Sequence, residues 1–220
     1  MCNYLKFKNR NFQPGISLIE IVVVIVIIAI FSTIIIADFP RILKNFALSR
    51  ATYKLAQDLR KTQDLGLSGL RTHDSAGNEI TSIKGYGIYV FVDPNATTTN
   101  YVVYADLSDV DNDLGSKNYD GPSAYIYCTD VTSPSSDCIL DEIDVSKENK
   151  DLYIKRLVNT NQDFVSINFS PPDFVNIDTK CVQLCDHQPS SEVGIVLGLL
   201  SDNSAERTVW VNTSGLVKIE

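Results

Sequence analysis

Residues 15–37, GISLIEIVVVIVIIAIFSTIIIA, form an almost unbroken apolar run that is interrupted by one acid, Glu20. As a helix rising about 1.5 Å per residue, the run from Ile16 to Ala37 is long enough to cross the roughly 30 Å hydrocarbon core of a membrane. An acid in such a segment costs roughly 2.5–3.5 kcal/mol at the bilayer centre, and less near the surface, so it marks a functional position. The run therefore predicts one membrane-spanning helix with a functional acid, Glu20, close to its start.

The residues before this run form a short basic leader, 1–15, with Lys6, Lys8 and Arg10 and no acid. By the positive-inside rule this charge places the leader in the cytoplasm and the C-terminal part outside. In a secretory signal peptide the small residue of the cleavage site follows the apolar region. Gly15 precedes it here, so cleavage at Gly15 would leave the apolar segment in the mature protein. An ordinary signal peptide and a plain signal anchor are the alternatives, and neither needs an acid at a set distance from a glycine.

The motif GISLIE at residues 15–20 resembles the cleavage and methylation site of type IV prepilins and type II secretion pseudopilins. The resemblance implies that a dedicated peptidase cuts between Gly15 and Ile16 and methylates the new N-terminus at Ile16. It also implies that Glu20, the fifth residue of the mature chain, supports assembly. Two positions depart from the family pattern: Ile16 stands where phenylalanine is usual, and Pro14 where a basic residue is frequent.

The function implied by this resemblance is that of a structural minor pilin or pseudopilin subunit of a type IV pilus-like or type II secretion filament. The implied partners are the prepilin peptidase and methylase, other pilin or pseudopilin subunits, an inner-membrane assembly platform and membrane lipid. The chain would be a single-pass membrane protein that later enters a pilus or pseudopilus. A minor pilin of a DNA-uptake system and an anchored binding domain that does not polymerise are the alternatives.

The charge of the chain argues against non-specific binding of nucleic acid. Its formal net charge is −8, with 19 Lys and Arg against 27 Asp and Glu. Removal of the leader would take away three positive charges and make the mature chain still more acidic. Nucleic-acid binding needs a basic surface, and near the C-terminus Arg207 and Lys218 stand among acids.

The domain organisation follows from changes in periodicity: a leader at 1–15, a membrane or filament-core helix at 16–39, an amphipathic extension at 40–68 and a β-rich ectodomain at 69–220. Pro40 removes one helical hydrogen bond where the extension starts. Apolar residues then recur at helical steps and predict the stripe that packs on a sheet. The residues of this predicted stripe are Ile42, Phe46, Tyr53, Ala56 and Leu59.

Beyond the helix the apolar residues alternate, which is typical of strands. The predicted strands are residues 86–92, 101–105, 124–128, 152–158, 165–169, 193–200, 208–211 and 216–219. The last two flank NTSG at 212–215, a hairpin turn in which Gly215 can take a positive φ. The predicted fold is therefore α+β, a long N-terminal helix packed on an antiparallel, pilin-like β-rich domain. The closing hairpin itself resembles that of minor pseudopilins.

Four cysteines lie outside the leader, and an even count in an exported domain predicts two disulfides. These are Cys128, Cys138, Cys181 and Cys185. Three pairings are possible, of which Cys128–Cys138 with Cys181–Cys185 is the simplest, closing two surface loops. Zinc is the competing interpretation, because the spacing of Cys181 and Cys185, with His187 nearby, suits a zinc site.

An acidic segment contains the candidate metal ligands of the chain, at positions that alternate as oxygen ligands of Ca²⁺ often do. They are Asp109, Asp111, Asp113 and Asp120. The segment lacks the glycine of an EF-hand loop at position six, where Leu114 stands, and it has Asp rather than Glu at position twelve. A solvated acidic turn is therefore the alternative to a calcium site. No enzyme motif and no other cofactor site is predicted.

Overall fold

The computed structural model describes residues 16–73, 76–80, 83–107, 127–128, 137–160, 163–170, 175–178 and 191–220. Two compact units make up the chain, Met1–Ile42 and Leu43–Glu220. One helix, α1, extends over Leu18–Ser68 and continues through Pro40. The predicted α+β fold is confirmed: α1 is followed by antiparallel sheets in a globular C-terminal domain.

The first sheet has five strands in the order β3-β2-β1-β5-β6, and every neighbouring pair is antiparallel. Its strands are β1 (Ile83–Phe91), β2 (Asn100–Leu107), β3 (Cys138–Asp144), β5 (Phe164–Phe169) and β6 (Asn176–Asp178).

The second sheet has four antiparallel strands in the order β4-β7-β8-β9. They are β4 (Leu152–Val158), β7 (Glu192–Leu199), β8 (Asp202–Asn212) and β9 (Val217–Ile219). The turn between β8 and β9 is the predicted one, with Gly215 at a φ of +82°. The turn is also closed by the Asn212 side chain, whose Oδ1 accepts from the Leu216 amide at 2.8 Å.

Most predicted strands fall on observed ones, whereas β3 and β6 were not predicted. The sequence of β3, CILDEID, breaks the apolar alternation with acids. Those acids are tolerated because β3 is an edge strand, and charges on an edge also discourage pairing with other chains. The predicted strand at 124–128 lies mostly outside the described residues, where only Tyr127 and Cys128 are placed, and Tyr127 forms a single bridge with Ile139.

The buried stripe of α1 differs from the predicted one. Each of its members lies three or four residues from another member: Leu48, Ala51, Thr52, Leu55, Ala56, Leu59 and Thr62. Ala56 and Leu59 were predicted correctly, but Phe46 is 68% exposed and Tyr53 is 66% exposed. Phe46 and Leu55 lie on opposite sides of the helix axis, so one helix cannot bury both against the same core. Small residues in the stripe, such as Ala51 and Ala56, let the helix approach the strands closely.

The core of the domain lies between this stripe and the inward faces of both sheets. Alternate residues of each strand point into it, as the period of a strand requires. The strand residues of the core include Ile88, Val90, Val103, Val165, Ile167, Phe169, Val193, Ile195, Leu197, Val209 and Val211.

Polar contacts of Asp58 and Arg60 link α1 to strands of the domain. The Tyr101 hydroxyl donates to Asp58 Oδ2 at 2.5 Å, and the Lys54 ammonium lies 3.2 Å from the same oxygen. Burial and this hydrogen bond to Asp58 raise the pKa of Tyr101, so its hydroxyl remains a donor. The guanidinium of Arg60 donates to the Val217 carbonyl at 3.1 Å, which ties the helix to β9.

A bulge in β4 directs two cations at one carboxylate. Ile154 pairs with Leu197 and Arg156 with Val196, so Lys155 is the extra residue. Arg156 makes two hydrogen bonds to Glu206, of 2.7 and 2.9 Å, and the Lys155 ammonium lies 3.1 Å from Glu206. The Arg156 and Lys155 hydrogen bonds lower the pKa of Glu206 to about 2.

Glu206→Gln is expected to lower the free energy of unfolding by about 1 kcal/mol at neutral pH, because these cations lie at a solvent-accessible surface. Glu206 has a lowered pKa in the folded state, so its contribution is present above the ordinary carboxyl pKa and is lost as the pH falls toward 2. Urea titrations of the two proteins between neutral and acidic pH measure this difference. Glu192→Gln in β7 is the matched control. A difference that does not shrink on acidification would contradict the prediction.

Candidate processing and assembly site

Helix α1 begins beside the predicted cleavage position. The Ser17 carbonyl accepts hydrogen bonds from the amides of Glu20 at 3.0 Å and Ile21 at 3.3 Å, which makes Ser17 the N-cap residue. Leu18 is the first helical residue. Gly15 and the rest of the leader lie outside the described residues.

Glu20 occupies the first turn of α1, three residues after the N-cap. Ser followed three residues later by Glu is the spacing of a capping box, in which each side chain can satisfy a free amide of the first turn. A carboxylate in the first turn is also stabilised by the positive end of the helix dipole. Sequence reasoning assigned Glu20 to assembly alone and missed Ser17, although the Ser-x-x-Glu spacing is visible in the sequence.

The predicted amino terminus and Glu20 are both accessible. Ile16 is 73% exposed, and Glu20 is exposed as well. An amino group at Ile16 would place a positive charge near the positive end of the helix dipole, which is unfavourable. One carboxylate at Glu20 can offset that charge in the same chain or in a neighbouring one.

The apolar part of α1 has no cover within its own unit. All described side chains from residue 16 to residue 42 are exposed, including large ones such as Phe31 and Ile36. By length and composition the helix can cross a membrane. A helix that is apolar on all sides is stable only in a membrane or inside a larger assembly.

The two hydroxyl residues of this segment satisfy their own hydrogen bonds. Ser32 donates to the Ile28 carbonyl and Thr33 to the Ala29 carbonyl, both at 2.8 Å. A hydroxyl bonded within its own helix costs little in an apolar medium, because no donor is left without an acceptor. The segment between Glu20 and Asp38 is therefore suited to an apolar environment in its polar groups as well as in its composition.

The N-terminal segment that contains Gly15, Glu20 and the apolar helix matches a known sequence family. The family model described as the prokaryotic N-terminal methylation motif matches residues 10–36. The N-terminal segment is type IV prepilin-like. The match includes Gly15, Ile16 and Glu20 and most of the exposed apolar helix. No significant match to the chain is found among curated proteins or among solved structures.

Among the cysteines of the described residues, Cys128 and Cys138 are joined, with their Cα atoms 4.8 Å apart. Both cysteines are buried: Cys138 is fully buried and Cys128 is 4% exposed. Residues 129–136, between them, lie outside the described residues, so the predicted surface loop stays a prediction. The two cysteines pack in a small cluster with Tyr86, Ala105 and Leu107, where the start of β3 meets β2. Cys181 and Cys185 lie outside the described residues, so their pairing and the zinc alternative stay predictions.

Mass mapping under non-reducing conditions is expected to find Cys128–Cys138 and Cys181–Cys185. Replacing both Cys128 and Cys138 by serine is expected to lower the free energy of unfolding by about 3 kcal/mol, because a ten-residue link no longer restricts the unfolded chain. The decrease is measured by urea titration, with the wild-type protein as the reference. Four free thiols together with bound zinc would contradict the assignment.

The predicted calcium ligands Asp109, Asp111, Asp113 and Asp120 all lie outside the described residues. Within the part of the chain that is described, no group of three or more His, Cys, Asp or Glu side chains is arranged to hold a metal. Calcium binding by the acidic segment therefore stays a prediction.

Proposed function

We propose that the chain is a minor pilin or pseudopilin subunit of a type IV pilus-like or type II secretion filament. One observation carries the proposal: a methylation motif at residues 10–36 coincides with an apolar helix that no part of its own unit covers. The motif supplies a processing step, and the uncovered helix supplies a surface that must be buried elsewhere. Membrane lipid would cover it before assembly and other subunits after it.

Pairing between neighbours would connect the processed end to Glu20. Cleavage between Gly15 and Ile16 creates an amino group four residues before Glu20. In a filament interior both charges are costly alone, and together they neutralise each other if the geometry is close. Glu20 of one subunit and the Ile16 amine of the next are the proposed pair.

The partners of the proposed subunit follow from these steps. A prepilin peptidase cuts and methylates it, an inner-membrane platform inserts it, and other pilin or pseudopilin subunits surround it. The leader would lie in the cytoplasm and the β-rich domain outside, in agreement with the basic charge of the leader.

Charges near the C-terminus favour a structural subunit over a DNA-uptake pilin. The Lys218 ammonium lies 5.4 Å from the Trp210 ring centroid and 3.2 Å from Glu220 Oε1. The Trp210 indole nitrogen donates to the other Glu220 oxygen at 3.0 Å. A phosphate would have to compete with Glu220 for this lysine, which is poor support for binding to nucleic acid.

Co-expression of the chain with a prepilin peptidase tests the proposal. The expected product lacks residues 1–15 and carries a methyl group on Ile16, as measured by mass spectrometry of the N-terminal peptide. Expression with a catalytically inactive peptidase is the matched control and should leave the leader in place. In the host, shearing of cells should release the mature chain in the filament fraction.

Two outcomes would contradict the proposal. An intact leader in the presence of active peptidase, or a cut after Ala37, would exclude prepilin processing. Correct processing without any chain in the filament fraction would identify an anchored domain that does not polymerise.

A further inference from the structure

The outer face of the first sheet, opposite α1, carries a set of buried polar side chains. Gly87 on β1 pairs with Tyr104 on β2 and with Asn168 on β5, whereas their neighbours Ile88, Val103 and Ile167 face the core. The set, called here the outer-face cluster, consists of Tyr104, Asp106, Ser166, Asn168 and Ser170. None of them is more than 3% exposed. Such a face of an antiparallel sheet is usually either solvated or apolar, so its buried polar groups need partners.

Hydrogen bonds inside the cluster fix the orientation of Asn168. Its amide nitrogen donates to Asp106 Oδ2 at 2.9 Å and lies 3.4 Å from the Tyr104 hydroxyl. The Tyr104 and Ser166 hydroxyls share a hydrogen bond of 2.7 Å, and burial raises the pKa of Tyr104. The opposite amide rotamer would place an oxygen against the Asp106 carboxylate, which is unfavourable. The Asn168 amide nitrogen therefore faces Asp106 Oδ2, and Asn168 Oδ1 has no partner in this network.

Two buried oxygens of the cluster have no hydrogen-bond partner among the described residues: Asn168 Oδ1 and Ser170 Oγ. An unsatisfied buried polar atom costs about 1–3 kcal/mol. Asn168 lies in β5 and Ser170 directly follows this strand, so two such atoms close together indicate a missing ligand.

Gly85 lies between these groups. Gly85 on β1 pairs with Asp106 on β2. A Cβ atom added at residue 85 would lie 2.7 Å from Asn168 Oδ1 and 2.8 Å from Ser170 Cβ. Asn168 and Ser170 therefore converge on the backbone of Gly85, with Asp106 on its other side. A side chain at residue 85 would occupy the space next to these two groups.

We propose that Asp106, Asn168 and Ser170 bind a hard divalent cation, Ca²⁺. The three side chains offer a carboxylate, an amide carbonyl and a hydroxyl, all of them oxygen ligands of the kind that Ca²⁺ takes. The cation supplies a partner for both orphaned oxygens and stabilises a carboxylate that is fully buried. Only Asp106 is acidic, so the spacing of acids in the sequence does not reveal this site. It is independent of the processing and assembly of the chain.

The test uses the full chain in detergent, stripped of metal with a chelator. Its melting temperature is followed by the fluorescence of Trp210, with Ca²⁺ or Mg²⁺ added. Saturating Ca²⁺ is expected to raise the melting temperature by about 5 °C or more, because a ligand at a hundred times its Kd stabilises a domain of this size by that amount. Mg²⁺ should have a smaller effect, since it requires a tighter octahedral geometry. Tb³⁺ in place of Ca²⁺ should luminesce on excitation of the nearby Tyr104.

Variants assign the binding to the outer-face cluster. Ser170→Ala removes one orphaned oxygen without a change in fold and is expected to weaken Ca²⁺ binding about tenfold. Asp106→Asn keeps the shape of the side chain but removes the charge, and it should abolish the Ca²⁺-dependent shift. Asp141→Asn, an exposed acid on β3, is the matched control and should bind as the wild type does.

Three results would overturn the proposal. A melting temperature that does not respond to Ca²⁺ would mean that water satisfies the two oxygens. Equal shifts with Mg²⁺ and Ca²⁺ would indicate a non-specific effect of divalent ions. Binding that survives Ser170→Ala and Asp106→Asn but is lost in the Asp111→Asn, Asp113→Asn double variant would place the cation in the acidic segment alone.

Discussion

The Glu20→Ala chain is expected to be cut and methylated normally and to enter the membrane, yet to be reduced at least about tenfold in the filament fraction. The reason is the loss of the partner for a buried amine, since removal of one member of a buried ion pair costs about 3–5 kcal/mol. Cleavage should survive because the scissile bond lies outside α1, which begins only at Leu18. The measurement is an immunoblot of sheared filaments beside one of whole membranes.

Glu20→Gln separates a role in capping the helix from the proposed role in pairing with the Ile16 amine. Glutamine, like glutamate, can complete a capping box with an N-cap serine, but it carries no charge. If the charge matters for assembly, the Gln variant should fail as the Ala variant does. A Gln variant that assembles normally, with only the Ala variant failing, would mean that Glu20 acts by starting the helix, and the proposed pairing with the Ile16 amine would be wrong.

Gly66→Ala is expected to destabilise the β-rich domain by about 2 kcal/mol or more. In a helix interior this change ordinarily stabilises by about 1 kcal/mol, because alanine is the better helix former. At Gly66, however, an added Cβ would collide with the Phe169 carbonyl oxygen and lie 2.8 Å from Phe169 Cβ. The backbone of β5 cannot move aside as the end of a long side chain can. The overpacking cost of about 3 kcal/mol therefore exceeds the gain in helix propensity.

Urea denaturation of the detergent-solubilised chain measures this change, with Gly69→Ala as the control. Gly69 has a φ of +61° and open space around it, so alanine there should cost only the 1–2 kcal/mol of a left-handed conformation. A Gly66→Ala protein that is more stable than the wild type would show that α1 and β5 are not in contact at this point.

The predictions that succeeded depend on neighbours in sequence. The apolar run and the spacing of Gly15 and Glu20 are local features, and an apolar helix needs no tertiary partner to form. The β8–β9 turn was predicted for the same reason, since NTSG contains the glycine that the turn requires at Gly215. Strands with regular alternation, such as β1 and β4, were also found within a few residues of their observed bounds.

The predictions that failed depend on contacts between distant segments. Both Phe46 and Leu55 fit a helical period, and only the approach of the sheets decides that Leu55 is buried and Phe46 is not. Strand β3 was missed because its acids look like a loop until its place at a sheet edge is known. Gly66 lies inside α1 where β5 passes close to the helix, a contact between residues that are far apart in the sequence.

By itself the sequence determined that this chain has a prepilin-like N-terminal segment, an apolar helix with an acid at its start, because composition and short spacing are enough to identify that segment. Tertiary structure alone decided which face of the extension is buried, that Cys128 and Cys138 lie in the interior, and that Asp106, Asn168 and Ser170 meet over Gly85. These residues are separated by up to 85 positions in the chain. Their proximity arises from strand register, which is selected by the burial of the opposite, apolar face of the same strands.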